Sequence, residues 1–281
     1  MASKELNKID NLSRGLLSRT DRLIEHLSRL LSTPSGTDST LRLIQYSLVL
    51  LSSQLSKLRD VRYRQFILAF TRKASAVLLP GETILATLSP PEDRLSEIIA
   101  GSKALSGVIS DFRIFVRLWG LLGCYAWAKS TWKSPPQDKL IKAIVWTQVV
   151  AGFGFQWYEN IAYLAMKGVL RGKRFGAKQQ NKWWEWSSRF WMAHVALDVV
   201  RLMRVWQLSA SDSNVVDTSE KKVEKSQEAA AWRQAVYSNA AWAPITVHYS
   251  WEQGCLNDEW LGLLGIIAGG AGFLKLWKQT S

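Results

Sequence analysis

The last long stretch of the chain, residues 260–277, limits the possible folds more than any other. It is closed by Trp260 and Trp277 and carries no charge from Trp260 through Leu274. As a helix it would be about 27 Å long, close to the ~30 Å hydrocarbon core of a bilayer. Gly262, Gly265, Gly269 and Gly272 recur at helical spacing and leave one bare face. Glycine costs a soluble helix backbone entropy, whereas in a membrane it lets another helix approach closely. The spacing therefore predicts a membrane helix whose glycine face packs against a partner helix, with a second copy of the chain as the expected partner. A glycine-rich core helix has the same composition, and the uncharged run is shorter than the usual ~17 to 25 residues of a span.

Composition points to a membrane protein with much water-facing surface. Fifteen Trp is high usage, and indole rings favour the bilayer interface. A mean hydropathy of −0.06 is too low for a compact many-span transporter. The net charge of +13 calls for an anionic partner. Phospholipid head groups suit it better than nucleic acid, because no nucleic-acid-binding motif is present and the basic clusters sit beside apolar helical stripes. Cys124 and Cys255 lack metal-site spacing and indicate a reducing compartment. The opening Met1-Ala-Ser-Lys-Glu-Leu-Asn-Lys lacks the apolar core of a secretory signal, so insertion after synthesis is expected.

The pattern is helix after helix. It predicts an all-α membrane protein with amphipathic helices and a Gly-rich C-terminal membrane helix. Residues 1–36 read as an N-terminal amphipathic helix, with Leu6, Ile9, Leu12, Leu16, Leu23, Leu27 and Leu30 on its stripe. Residues 37–208 read as a helical membrane-associated core, 209–226 as a disordered linker, and 227–281 as the segment holding the membrane helix. In the core, a helix capped by Asp38 or Ser39 should run to about Leu79. Another should start at Ser89-Pro-Pro-Glu92 and continue to about Trp132. Two more should cover about 139–169 and 182–208, and Pro244 should end a short helix before the tail.

Three stretches have the chemistry of a lipid contact. In residues 55–78, Leu55, Leu58, Val61, Phe66, Phe70 and Val77 form an apolar stripe. Lys57, Arg59, Arg62, Arg64, Arg72 and Lys73 would meet lipid head groups beside it. A basic amphipathic helix lies in the plane of an anionic membrane and wedges into one leaflet; packing against neighbouring helices is the alternative. Residues 112–128 are apolar apart from Arg113 and Arg117, which share a face and should reach phosphates at the interface. Residues 143–166 hold one charge, Glu159, which either marks a transport path or pairs with a neighbour's Arg or Lys. Between these helices and the next, Lys167, Arg171, Lys173, Arg174, Lys178 and Lys182 form a basic loop with no acid before Glu185. It suits cytosolic head groups, a targeting signal or a plain solvated loop.

Catalytic signals are weak. His26, His194 and His248 are the only histidines, and no nucleophile motif, phosphate loop or metal-ligand spacing accompanies them. His194 and Asp198 read as a structural pair. No catalytic, cofactor-binding or metal site is expected. Lys275 and Lys278 behind the tail helix place the C-terminus on the cytosolic side. Both termini then face the cytosol if residues 112–128 or 143–166 supply a second crossing.

In order along the chain, Leu41-Arg-Leu-Ile-Gln-Tyr-Ser-Leu48, Phe112-Arg-Ile-Phe-Val-Arg-Leu-Trp-Gly-Leu-Leu122, Tyr158-Glu-Asn-Ile-Ala-Tyr-Leu164, Pro244-Ile-Thr-Val-His-Tyr-Ser250 and the Gly-rich tail resemble the peroxin-11 family, especially its fungal branches. The resemblance implies a non-enzymatic protein of the peroxisomal membrane that elongates the organelle before fission. It also implies self-association, delivery by the peroxisomal membrane-protein import receptor, and engagement of dynamin-type fission machinery. The family's amphipathic segment follows the Gln-Tyr motif, which points to residues 55–78. The family also brings a second reading, a membrane channel for small metabolites.

Overall fold

The computed structural model describes residues 19–79, 81–87, 93–211 and 219–280, and these form helices and turns without a strand. Helix α1 (residues 19–31) is followed by α2 (Pro34–Ser75) and α3 (Arg94–Val116). A 3₁₀ turn (Arg117–Trp119) leads to α4 (Gly120–Lys133). Next come α5 (Lys139–Met166), α6 (Ala177–Ser211), α7 (Ser219–Tyr249) and α8 (Asp258–Thr280). Residues 1–18 of the expected N-terminal helix lie outside the described residues.

Several boundaries differ from expectation for local reasons. Thr33, not Asp38 or Ser39, caps α2: its Oγ1 accepts from Gly36 N at 3.1 Å, with Pro34 in the first turn. Asp38 is instead spent on arginines. Asp93 caps α3 by accepting from Ser96 N at 2.9 Å; the Ser89-Pro-Pro-Glu92 start lies outside the described residues. The single helix expected through residue 132 is broken by the 3₁₀ turn at Arg117–Trp119. The stretch read as a linker is helical at 209–211 and 219–226, where Lys, Glu and Gln favour a helix. Pro244 lies inside α7 and does not end it. It removes one backbone hydrogen bond, but Ile245 and Thr246 are fully buried, and that packing carries the helix past it.

The helices pair in a row, α3 on α2, α2 on α8, α8 on α7, α7 on α6 and α6 on α5. Since α4 lies on α5 and joins α3 through the 3₁₀ turn, the row returns to its start. Polar staples fix the ring. Asp198 of α6 accepts from Asn239 of α7 at 2.7 Å, from Gln148 of α5 at 3.3 Å and from Arg201 at 2.7 Å. These, rather than His194, are its partners; burial raises the Asp198 carboxyl, but Arg201 and Asn239 outweigh it and hold it below the ordinary value. His194 instead sets its ring edge-on to Trp127. At the far end of α8, His26 Nε2 donates to Trp277 O at 2.9 Å and Arg29 Nε to Thr280 O at 3.1 Å, so α1 satisfies the last carbonyls of the tail helix.

The turn between α7 and α8 is built on His248. Its Nδ1 accepts from Cys255 N at 3.0 Å and Leu256 N at 2.9 Å, which requires the neutral ring with its proton on Nε2. Gly254, at φ +60°, passes so close that a Cβ there would stand 2.4 Å from the ring. Burial holds the imidazole below its ordinary value near 6.5. A depressed folded-state value gives stability that is present above 6.5 and is lost as pH falls through the folded value. Protection of the Cys255 and Leu256 amides against hydrogen exchange should therefore be high at pH 8 and fall in acid. Protection factors unchanged down to pH 5 would contradict this.

Candidate membrane interface and its arginine centre

Among the described residues, α8 is the one helix long and apolar enough to cross a membrane. Its glycines form a ladder on α2, with the two helices running antiparallel. A Cβ on Gly262 would lie 2.7 Å from Leu50 N, and one on Gly265 would lie 2.2 Å from the Tyr46 ring. Gly269 faces the Arg42 stem at 3.4 Å and Gly272 faces Ser39 Oγ at 4.0 Å. The glycine face thus packs a helix of its own chain. The opposite face, with Trp260, Leu263, Ile267 and Leu274, is exposed.

The two segments expected to offer a second crossing are tied to each other by an ion pair, Arg117 to Glu159. Residues 112–128 are divided by the 3₁₀ turn, and their arginines point inward instead of reaching for phosphates. Arg113, 9% exposed, donates to Asp38 at 2.8 Å and to Gln45 at 2.7 Å. Arg117 grips Glu159 through two bonds of 3.1 and 2.8 Å. The lone acid of residues 143–166 is therefore a partner to arginine. Burial lowers the Arg113 guanidinium and is not fully offset by Asp38. For Asp38, burial raises the carboxyl, but Arg113 and Arg42 outweigh it and keep it below its ordinary value.

The second half of α2 leaves the ring. No residue of the helix after Ser52 is buried. Leu58, Val61, Phe66 and Phe70 are exposed there, as is Val77 just past the helix end, while Leu55 is half-buried. Lys57 pairs with Glu259, and Arg59 pairs with Asp60 at 3.2 Å. In four- and three-residue steps Arg62, Phe66, Phe70 and Lys73 share one face, so two cations flank the phenylalanines on it instead of standing on the opposite side. Arg64 and Arg72 are exposed as well.

Only four of the six cations of the expected basic loop, Lys167, Arg171, Lys173 and Arg174, lie between α5 and α6; Lys178 and Lys182 stand in the first turns of α6, and all six are exposed. Lys167 is tied to Asp111 of α3 at 2.5 Å, an acid that sequence distance concealed, and this pairing raises its ammonium. Arg171 donates to Gly168 O at 2.7 Å. One further surface escaped the sequence reading. Trp119, Leu122, Tyr125 and Trp132 are all more than half exposed, as are Val150 and Trp157 of α5. The three- and seven-residue spacing of the first four was the available signal.

A family model described as "Peroxisomal biogenesis factor 11 (PEX11)" matches residues 85–277, from just before α3 into the last turns of α8. The chain belongs to the peroxisomal biogenesis factor 11 family. With that membership comes a role in peroxisome biogenesis at the peroxisomal membrane. An uncharacterized protein of Schizosaccharomyces pombe is similar, at 25% identity over 173 residues, which cover 60% of this chain and 74% of the relative. No solved structure matches. The peroxin-11 match begins beyond α2, so Leu41–Leu48 and the exposed arm lie before the matched range although α2 is built into the same ring.

Proposed function

We propose that this chain remodels and elongates the peroxisomal membrane to promote proliferation and fission, with the α2 arm inserted in one leaflet. The observation that carries the reading is an arm with no buried residue that nonetheless exposes Leu58, Val61, Phe66 and Phe70 among cations. In water such a surface is a liability; at an anionic bilayer the rings enter the acyl region while Arg and Lys snorkel to phosphates. The exposed face of α8 and the α4 surface add apolar contact. The basic α5–α6 loop lies against head groups or serves the import receptor. Dynamin-type machinery then acts on the elongated membrane. Since α2 fills the glycine face, a second copy meets the chain elsewhere.

Full-length protein should bind and tubulate liposomes containing anionic lipid. Phe66→Glu with Phe70→Glu should abolish tubulation, because carboxylates among acyl chains cost several kcal/mol. Tubulation unchanged in the double variant would reduce the arm to a solvated helix. Solute flux through the same vesicles tests the channel reading. Both termini are assigned to the cytosol on the strength of Lys275 and Lys278, which with α8 crossing needs a second crossing segment. Protease added to intact organelles should then remove tags from both ends, and protection of the C-terminal tag alone would reverse the assignment.

A further inference from the structure

At the centre of the helix ring, α2, α3, the 3₁₀ turn, α5, α6 and α7 converge on a cavity of about 410 Å³. Its lining mixes the guanidinium groups of Arg42, Arg113 and Arg117 with the indole rings of Trp184, Trp191 and Trp242. Asp38 serves both Arg42 and Arg113, and Glu159 is taken by Arg117. Three permanent cations thus share two carboxylates. The tyrosines of the lining, Tyr46 and Tyr249, are held neutral, since burial raises both. Arg42 Nε is buried without an acceptor among the described residues, and its guanidinium carbon lies 5.8 Å from the centre of the Trp242 ring.

A buried N–H without an acceptor is costly, and so is unbalanced positive charge in a low dielectric. One bound anion would satisfy both, and the guanidinium fork matches the paired oxygens of a carboxylate or a phosphate. The indole rings give such a ligand an apolar resting place. We propose that this cavity binds one oxyanion, a carboxylate or phosphate, whose apolar remainder lies against the indole rings. The site is separate from the α2 arm, so its failure would leave the membrane-shaping reading standing, and the reverse.

The test is thermal unfolding of the full chain in a nonionic detergent, with laurate, inorganic phosphate or dodecanol added. Laurate at about a hundredfold its Kd should raise the midpoint by roughly 5 to 10 °C. Dodecanol, with the same chain and no charge, should not. An equal shift from phosphate would identify a free oxyanion as the source, and a shift from laurate alone would identify a lipid-like one. Arg42→Gln should lose most of the shift. Ser188→Leu, which fills the cavity and removes no ion pair, should do the same. No shift with either anion, an equal shift with dodecanol, or a full shift in both variants would overturn the proposal.

Discussion

Arg117→Met should cost about 3 to 5 kcal/mol of stability, the range for breaking a buried pair by removing one partner. Glu159 is 4% exposed, so the substitution leaves a carboxylate in the ring centre without the cation that holds it. Two hydrogen bonds of 3.1 and 2.8 Å join the partners, so the carboxylate loses both with one substitution. The double variant Arg117→Met with Glu159→Leu should recover most of the loss, because replacing a whole buried pair by apolar groups is often close to neutral. Denaturation of the purified protein in detergent measures all three. A single variant no worse than the double would mean that water or another cation serves Glu159.

The second large effect is graded along the glycine ladder. Gly262→Ala drives a Cβ into the α2 backbone at Leu50, which cannot rotate away, and should cost about 2 to 3 kcal/mol. Gly265→Ala meets the Tyr46 ring, which can shift only by disturbing the buried cluster of Tyr46, Ile245 and Leu261, so a similar loss is expected. Gly269→Ala meets only the flexible Arg42 stem at ordinary contact distance, and the gain in helix propensity of up to ~1 kcal/mol should leave it neutral or better. Unfolding midpoints of the three variants check this order. If all three kept wild-type stability and lost self-association instead, the glycine face would belong to a second copy and not to α2.

The sequence made the class and the close-packing face legible, because both are written in local spacing. Four glycines three and four apart predict a near approach whatever the partner. That the partner is α2 depends on Leu50 and Tyr46, some two hundred residues away, and no local pattern reports it. The arginines show the same limit. Arg113 and Arg117 look like snorkelling residues when only their own helix is read, and their carboxylates arrive from α2 and α5. Pro244 was misread because helix-breaking is a local cost, whereas the burial of Ile245 and Thr246 is a tertiary gain. The exposed arm was legible in composition, but its lack of cover among the described residues appeared only once their helices had been placed.

Peroxisome shape in cells whose own copy of the gene is deleted separates the readings. Fluorescently tagged wild-type protein, overexpressed, should sit in the peroxisomal membrane, stay there through carbonate extraction and elongate the organelles. The Phe66→Glu, Phe70→Glu variant keeps α8 and the ring, so it should reach the same membrane and leave the peroxisomes round. Equal elongation by the variant, or a wild-type protein released by carbonate, would contradict a membrane-inserted α2 arm.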